Sequence, residues 1–299
     1  MKRLYHYSAM LVLTILSIIS LLVFEVSAYT HFVVFQPQIY YESMLKGRVD
    51  EIIYNDLVEY FQGFSGPTGI PAEVFTAPLN QEELFEASYW LTVDSLIYLV
   101  DETATEPTVT YDFSKVENYV DAYIEQYSDY NNIPKDKNYY ALIQNTHQTI
   151  ESQIKGQLDV ALLYKLAQSS YVNGIRDYAA NVQLRLIVSG ILLVLFVAAM
   201  IIVDRKHPRD LPYWFGITLV ISSAIILAPA LYLDKINYFD NFFMRSDNVY
   251  KTVTNVCHYV LSSVINTETL ILIFGFFLIF LTIIIHTFYI KYLNKKHQS

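Results

Sequence analysis

The sequence predicts an all-α integral membrane protein, with four transmembrane helices and an extracytoplasmic helical-bundle domain between spans 1 and 2. Three observations carry that prediction. Of the 299 residues, 54% are hydrophobic and only 16% charged, against roughly 25% charged in an ordinary soluble domain. Three apolar stretches, and a fourth behind the N-terminus, approach or reach the roughly 20 residues that a bilayer core requires. Between the first two of the four, apolar residues recur at helical rather than strand spacing. A soluble cytosolic enzyme is excluded on these grounds. Nine glycines and nine prolines exclude a collagen-like or low-complexity chain.

The spans are read in order. Residues 8–28 form the first; their core, SAMLVLTILSIISLLVF at 8–24, follows Lys2 and Arg3. Two readings stay open for it. Val26-Ser27-Ala28 has the small residues of a signal-peptidase site, which would make the segment a cleaved signal peptide. A run of 17 apolar residues exceeds the roughly 7–15 of a signal core, and Glu25 interrupts the approach to the site, so a retained anchor is favoured. Residues 185–203, 213–233 and 269–290 form the second, third and fourth spans, without an internal acid, lysine or arginine past Arg185. Pro229 should kink the third. Ser17, Ser20, Ser189, Gly190, Ser222, Ser223, Ala224 and Gly275 are small enough to let helices approach closely.

Lysine and arginine set the expected orientation. The short segments 1–7, 204–212 and 291–299 hold Lys2, Arg3, Arg205, Lys206, Arg209, Lys291, Lys295 and Lys296. The long stretch 31–184 holds no more than the same number, eight, against 22 Asp and Glu. The short segments are therefore expected in the cytoplasm with both termini. Residues 29–184 then form the extracytoplasmic domain, and 234–268 an extracytoplasmic loop carrying an amphipathic helix. The acidic exterior repels phosphates, which argues against nucleic acid, and favours cationic peptides, basic protein surfaces or divalent ions. Cysteine occurs once, at Cys257, and no Asn-x-Ser/Thr acceptor is present. A sizeable outer domain without disulfide or glycosylation signal points to a bacterial plasma membrane.

Within 29–184 the elements are expected as follows. HFVVFQPQIYY at 31–41 reads as an extended connector, with Pro37 preventing one unbroken helix. Leu45, Val49, Ile52, Ile53 and Leu57 place a helix over 44–62, stopped by Gly63 and followed by a turn-rich loop, 63–71. Asn80 with Glu83 reads as a capping box opening a helix over 81–100, and Ser114 with Glu117 as a second one before 115–127. Ile143, His147, Ile150, Ile154, Leu158, Ala161, Leu162 and Leu166 form a stripe stepping by three and four. It is expected to run on through Val172 and Ile175 into the second span, with Gly174 as its weak point. In the second loop, Val249, Val253, Val256, Val260 and Val264 give a separate amphipathic helix over 248–265. Many of the 26 tyrosines, among them Tyr139, Tyr140, Tyr171 and Tyr178, fall in the outer domain, where an apolar ring with a polar tip suits an interface.

The search for chemistry yields no catalytic, cofactor-binding or metal-ligating residue, and no cofactor is expected. HExxH, CxxC, Walker and dinucleotide fingerprints are absent from the sequence, and His147 with Glu151 is a helix contact rather than a ligand set. Cys257 and His258, adjacent on a helix, point about 100° apart and do not pair. GFSGP at 63–67 lacks the second glycine of a nucleophile elbow. His286 is the ionisable residue expected well inside a span, snorkelling toward the interface. The four-pass layout resembles tetraspanins and claudins in outline only, since both depend on outer-loop cysteines.

The functional expectation is a non-enzymatic multi-pass membrane protein embedded in the lipid bilayer. Its acidic outer domain would bind a protein partner or ligand, as an accessory, assembly or sensing subunit of an envelope complex. A membrane-protein partner or a homo-oligomer is expected. The alternatives are a defence or immunity protein capturing cationic peptides, and an envelope enzyme built from scattered acids such as Glu82, Glu83, Glu86, Asp101 and Glu102.

Overall fold

The computed structural model describes residues 2–244 and 246–298, with side chains described for 6–244 and 246–289. The side chains of Lys2, Arg3, Lys291, Lys295 and Lys296, invoked for orientation, lie outside these. The described chain is 82% helical and contains no strand. Four helical segments are long and apolar enough to cross a membrane: His6–Val34, Val172–Val203, Leu211–Lys235 and Asp247–Tyr289. The chain divides into two compact units. A span unit comprises Met1–Phe35, Tyr178–Asn241 and His258–Ser299, and a helical unit Gln36–Asp177 and Phe242–Cys257.

The helical unit begins where the connector was expected to be extended. Instead, α1 (Lys2–Tyr29) passes into a π-helical turn, Thr30–Val34. Gln36 is extended, and Pro37 opens α2 (Pro37–Gly47) from its first turn. Proline has no N–H to lose there and its fixed φ is already helical, so it starts this helix rather than breaking one. The single helix expected over 44–62 is two: α2 ends where Arg48 adopts a left-handed conformation (φ 51°), and α3 (Val49–Thr68) follows. Gly63 does not stop α3, and the expected loop from 63 is helical as far as Thr68. The stop is Gly69 at φ 71°, a conformation open to glycine at little cost.

After the short α4 (Ala72–Thr76), α5 spans Gln81–Val100. Asn80 caps it, its Oδ1 accepting from the N–H of Glu82 at 2.8 Å and of Glu83 at 3.3 Å. The reciprocal half of the box is absent, because the Glu83 carboxylate takes Lys115 Nζ at 2.7 Å instead. At the other end of α5, Arg176 Nε donates to the Tyr98 carbonyl at 2.7 Å and its guanidinium lies over the Tyr98 ring. The second expected box fails: α6 (Ser114–Tyr130) has Phe113 at its N-cap. Ser114 is already the first residue of the helix, and Asp112 Oδ1 accepts from both its N–H and its hydroxyl.

The long stripe is also interrupted. α7 (Lys137–Leu158), capped by Asp136, ends at Leu158. Ser88 on α5 donates to the Leu158 carbonyl at 2.8 Å, and the Asp159 carboxylate accepts from the N–H groups of Tyr164 and Lys165. These bonds satisfy the end of one helix and the start of the next, so α8 (Leu163–Ala167) is a separate turn. Only beyond it does α9 run unbroken from Val172 to Val203. Met44, Ile53, Leu57, Phe61, Phe75, Leu84, Val116, Val120, Ile150, Ile154 and Leu158 build one apolar core.

In the span unit, α10 (Leu211–Lys235) passes through Pro229 without a break. The amphipathic helix expected at 248–265 and the fourth span are one element, α11 (Asp247–Gln298). Its first residues belong to the helical unit, where Asn248 Nδ2 donates to the Gln157 carbonyl and Asn255 Nδ2 to that of Ser43. Inside the span unit α10 and α11 cross at Gly216 and Gly275. A Cβ on Gly216 would lie 2.7 Å from the Gly275 carbonyl oxygen, so neither position has room for a side chain. Ser20 on α1 donates to the Ser189 carbonyl on α9 at 2.8 Å.

Candidate functional site

The helical unit contains a cleft of about 420 Å³ between the end of α3 and the facing sides of α6 and α7. Helical spacing puts Tyr123, Tyr127 and Ile124 on one face of α6, and Asn138, Tyr139 and Leu142 close the cleft from α7. Tyr123 and Tyr127 are stacked, centroids 6.2 Å apart at 21°. The floor is the left-handed turn at Gly69 with Ile70. Asp136 lines the cleft while its Oδ1 accepts from the N–H groups of Asn138 and Tyr139. The nearby Lys135 ammonium contacts both Glu125 and Asp129, and these carboxylates push its pKa above the ordinary lysine value. Such a cleft offers ring faces, phenol hydroxyls and an acidic margin. It is suited to holding an apolar or cationic side chain rather than to breaking a bond.

The residues singled out from sequence are placed as follows. His147 pairs with Asp121 on α6 at 2.7 Å, and Glu151 with Lys155, so the two do not share a ligand. His258 contacts Asp240 at 2.7 Å and not Cys257. Glu82, Glu83 and Glu86 stand near the start of α5, whereas Asp101 and Glu102 follow its end, about 30 Å away at 1.5 Å per residue. Asp101 is held by the N–H and hydroxyl of Thr103, which lower its pKa. These five acids therefore form no cluster. His286 does not simply reach for an interface: its Nε2 lies 2.8 Å from Asp210 Oδ1. His6 Nε2 is 3.1 Å from the fully buried Asp204. These two contacts gather the start of α1, the end of α9, the start of α10 and residue 286 of α11 at one end of the span unit.

Sequence reasoning missed two ionisable residues within the spans. Glu25 was read only as an interruption near the end of the first span and Glu268 as the last residue of the second outer loop, yet both are buried in the span unit, at 5% and 0% exposure. The available signal was positional. Each acid directly adjoins an apolar run whose helix continues past it, so the helix, not the run, sets which residues the bundle encloses.

The chain matches no family model, no curated protein and no solved structure.

Proposed function

We propose that this chain is a non-enzymatic multi-pass membrane protein whose acidic helical unit binds a protein partner or ligand, serving as an accessory, assembly or sensing subunit. The observation that carries the reading is the tyrosine-lined cleft between α3, α6 and α7. Stacked tyrosines on a rigid helix present large contact area with little conformational entropy to lose on binding. The basic segments 1–7, 204–212 and 291–299 support cytoplasmic termini, which would make the helical unit extracytoplasmic. The lone cysteine and missing glycosylation signal support a bacterial plasma membrane.

The test is gentle extraction of the tagged protein at native level, followed by crosslinking and mass spectrometry. A stoichiometric membrane partner, crosslinked near α6 or α7 and lost in a Tyr123→Ala/Tyr127→Ala variant, is the expected result. Recovery without any partner, as a monomer, would overturn it. A second reading, capture of a cationic peptide, is favoured by Asp136 at the cleft and by the excess of acids over bases in residues 31–184. Charge-driven capture would weaken steeply with ionic strength, whereas docking on the tyrosine faces would not.

A further inference from the structure

Glu25 on α1 and Glu268 on α11 meet inside the span unit. Tyr29, one helical turn beyond Glu25, donates its hydroxyl to Glu268 Oε1 at 2.7 Å. That bond ties Glu268 to the residue one helical turn from Glu25, on the same face of α1. Both oxygens of Glu25 and Oε2 of Glu268 are buried without a hydrogen-bond partner. The third helix contributes Ser223 of α10, with no exposed surface, whose hydroxyl faces Glu268 and has no other partner. Thr267 of α11 lies beside Tyr29. Among the described residues, Tyr29 is the one other titratable group facing the pair, and no ion pair involves either glutamate.

A carboxylate is an acceptor only. Of four unpartnered oxygens here, only the Ser223 hydroxyl can donate, so at least two carboxylate oxygens have no donor to meet. Two negative charges enclosed in an apolar bundle without a counter-charge are strongly disfavoured, and intramembrane acids persist chiefly where function uses them. The requirement is for positive charge, and none of the described residues supplies it at this place. We propose that Glu25, Glu268, Tyr29 and Ser223 form a cation site within the span unit, which takes up a proton or a small hard metal ion through carboxylate and hydroxyl oxygens. A proton turns one carboxylate into a donor toward the other. A metal ion such as Na⁺ or Ca²⁺ instead draws on the free oxygens directly, in the all-oxygen coordination such ions accept. The site does not depend on the partner-binding reading, and its test requires no partner.

The experiment uses the full-length chain in lipid nanodiscs. In metal-free buffer with choline as the cation, infrared spectra are followed across pH. Protein melting is then followed on adding NaCl or CaCl₂ at constant ionic strength. A carbonyl stretch from a protonated carboxylic acid at neutral pH, lost in both Glu25→Gln and Glu268→Gln, identifies the proton as occupant. A saturable rise in Tm with Na⁺ or Ca²⁺, lost in the same variants, identifies the metal. In that case Ser223→Ala, which removes one oxygen and no charge, should raise the half-saturating concentration about tenfold. If the glutamine variants fail to fold, the wild-type spectra and the Ser223→Ala titration decide alone. Two ionised carboxylates at neutral pH together with a Tm indifferent to both metals would overturn the proposal.

Discussion

The two units of this protein bury opposite things. The helical unit is built in the ordinary way, with Phe61, Phe75, Leu57, Ile150 and Leu158 fully enclosed and, Asp159 apart, its charges at least partly exposed. The span unit inverts that order. Its buried positions include Thr14, Ser17, Ser20, Ser189, Thr218, Ser222 and Ser223, while Val194, Ile202, Leu270 and Phe288 are at least two-thirds exposed. The difference teaches which solvent each unit is made for. In water, enclosing large apolar side chains drives folding. In lipid, an exposed leucine costs nothing, so helices associate through close backbone approach and polar contacts between small residues.

The comparison can be broken most directly at the two cores. Phe61→Ala removes a buried ring stacked on Phe75 with centroids 4.9 Å apart. It should destabilise the helical unit by about 3–5 kcal/mol. Hydrogen exchange by mass spectrometry should show faster exchange in α3–α7 but unchanged protection in α10. Gly216→Ala tests the span unit by the reverse operation, adding a single methyl against the Gly275 carbonyl. A cost of about 1–3 kcal/mol is expected, read as earlier thermal aggregation in nanodiscs with α3–α7 protection retained. If both substitutions loosened both units alike, the division into separately built regions would fail.

Smaller changes sharpen the picture. Asn80→Ala removes the acceptor for two backbone N–H groups and should cost about 1 kcal/mol, visible as fraying of the first turn of α5. Gly174 has open space where a Cβ would project. Gly174→Ala should therefore stabilise α9 by roughly 0.5–1 kcal/mol, the opposite sign to Gly216→Ala. The smallest effect is one of pH. Burial, then the charges of Asp247 and Glu59, raise the Asp56 pKa above the ordinary carboxylate value. A raised folded-state value means the folded unit holds this proton more tightly than the unfolded chain. The contribution is therefore full at acid pH and lost as pH rises through the carboxylate range. Asp56→Asn should flatten that slope and slightly raise Tm at neutral pH, as measured by pH-resolved melting.

Much of the helical pattern was legible because periodicity reports burial directly. Ile150, Ile154 and Leu158 lie one turn apart, and each is fully buried. Helix ends were less legible, because they depend on partners far along the chain. Nothing local to 138–166 announces that Ser88, 70 residues earlier, will donate to the carbonyl at the end of α7. The cleft followed the same rule: helical spacing alone sets Tyr123 and Tyr127 on one face of α6, but the opposing residues come from α3 and α7.

What the sequence by itself determined is the helical class, four segments apolar enough to cross a bilayer, and small residues on the faces where those segments meet. These follow from composition and from a period of 3.6 residues, both properties of the chain alone. The tertiary structure decided where helices stop, that residues 247–298 form one helix, and that Glu25 and Glu268 share an enclosed place. The physical reason is that burial of charge is a property of neighbours. A glutamate at the end of an apolar run is an ordinary boundary until a second helix brings another one beside it.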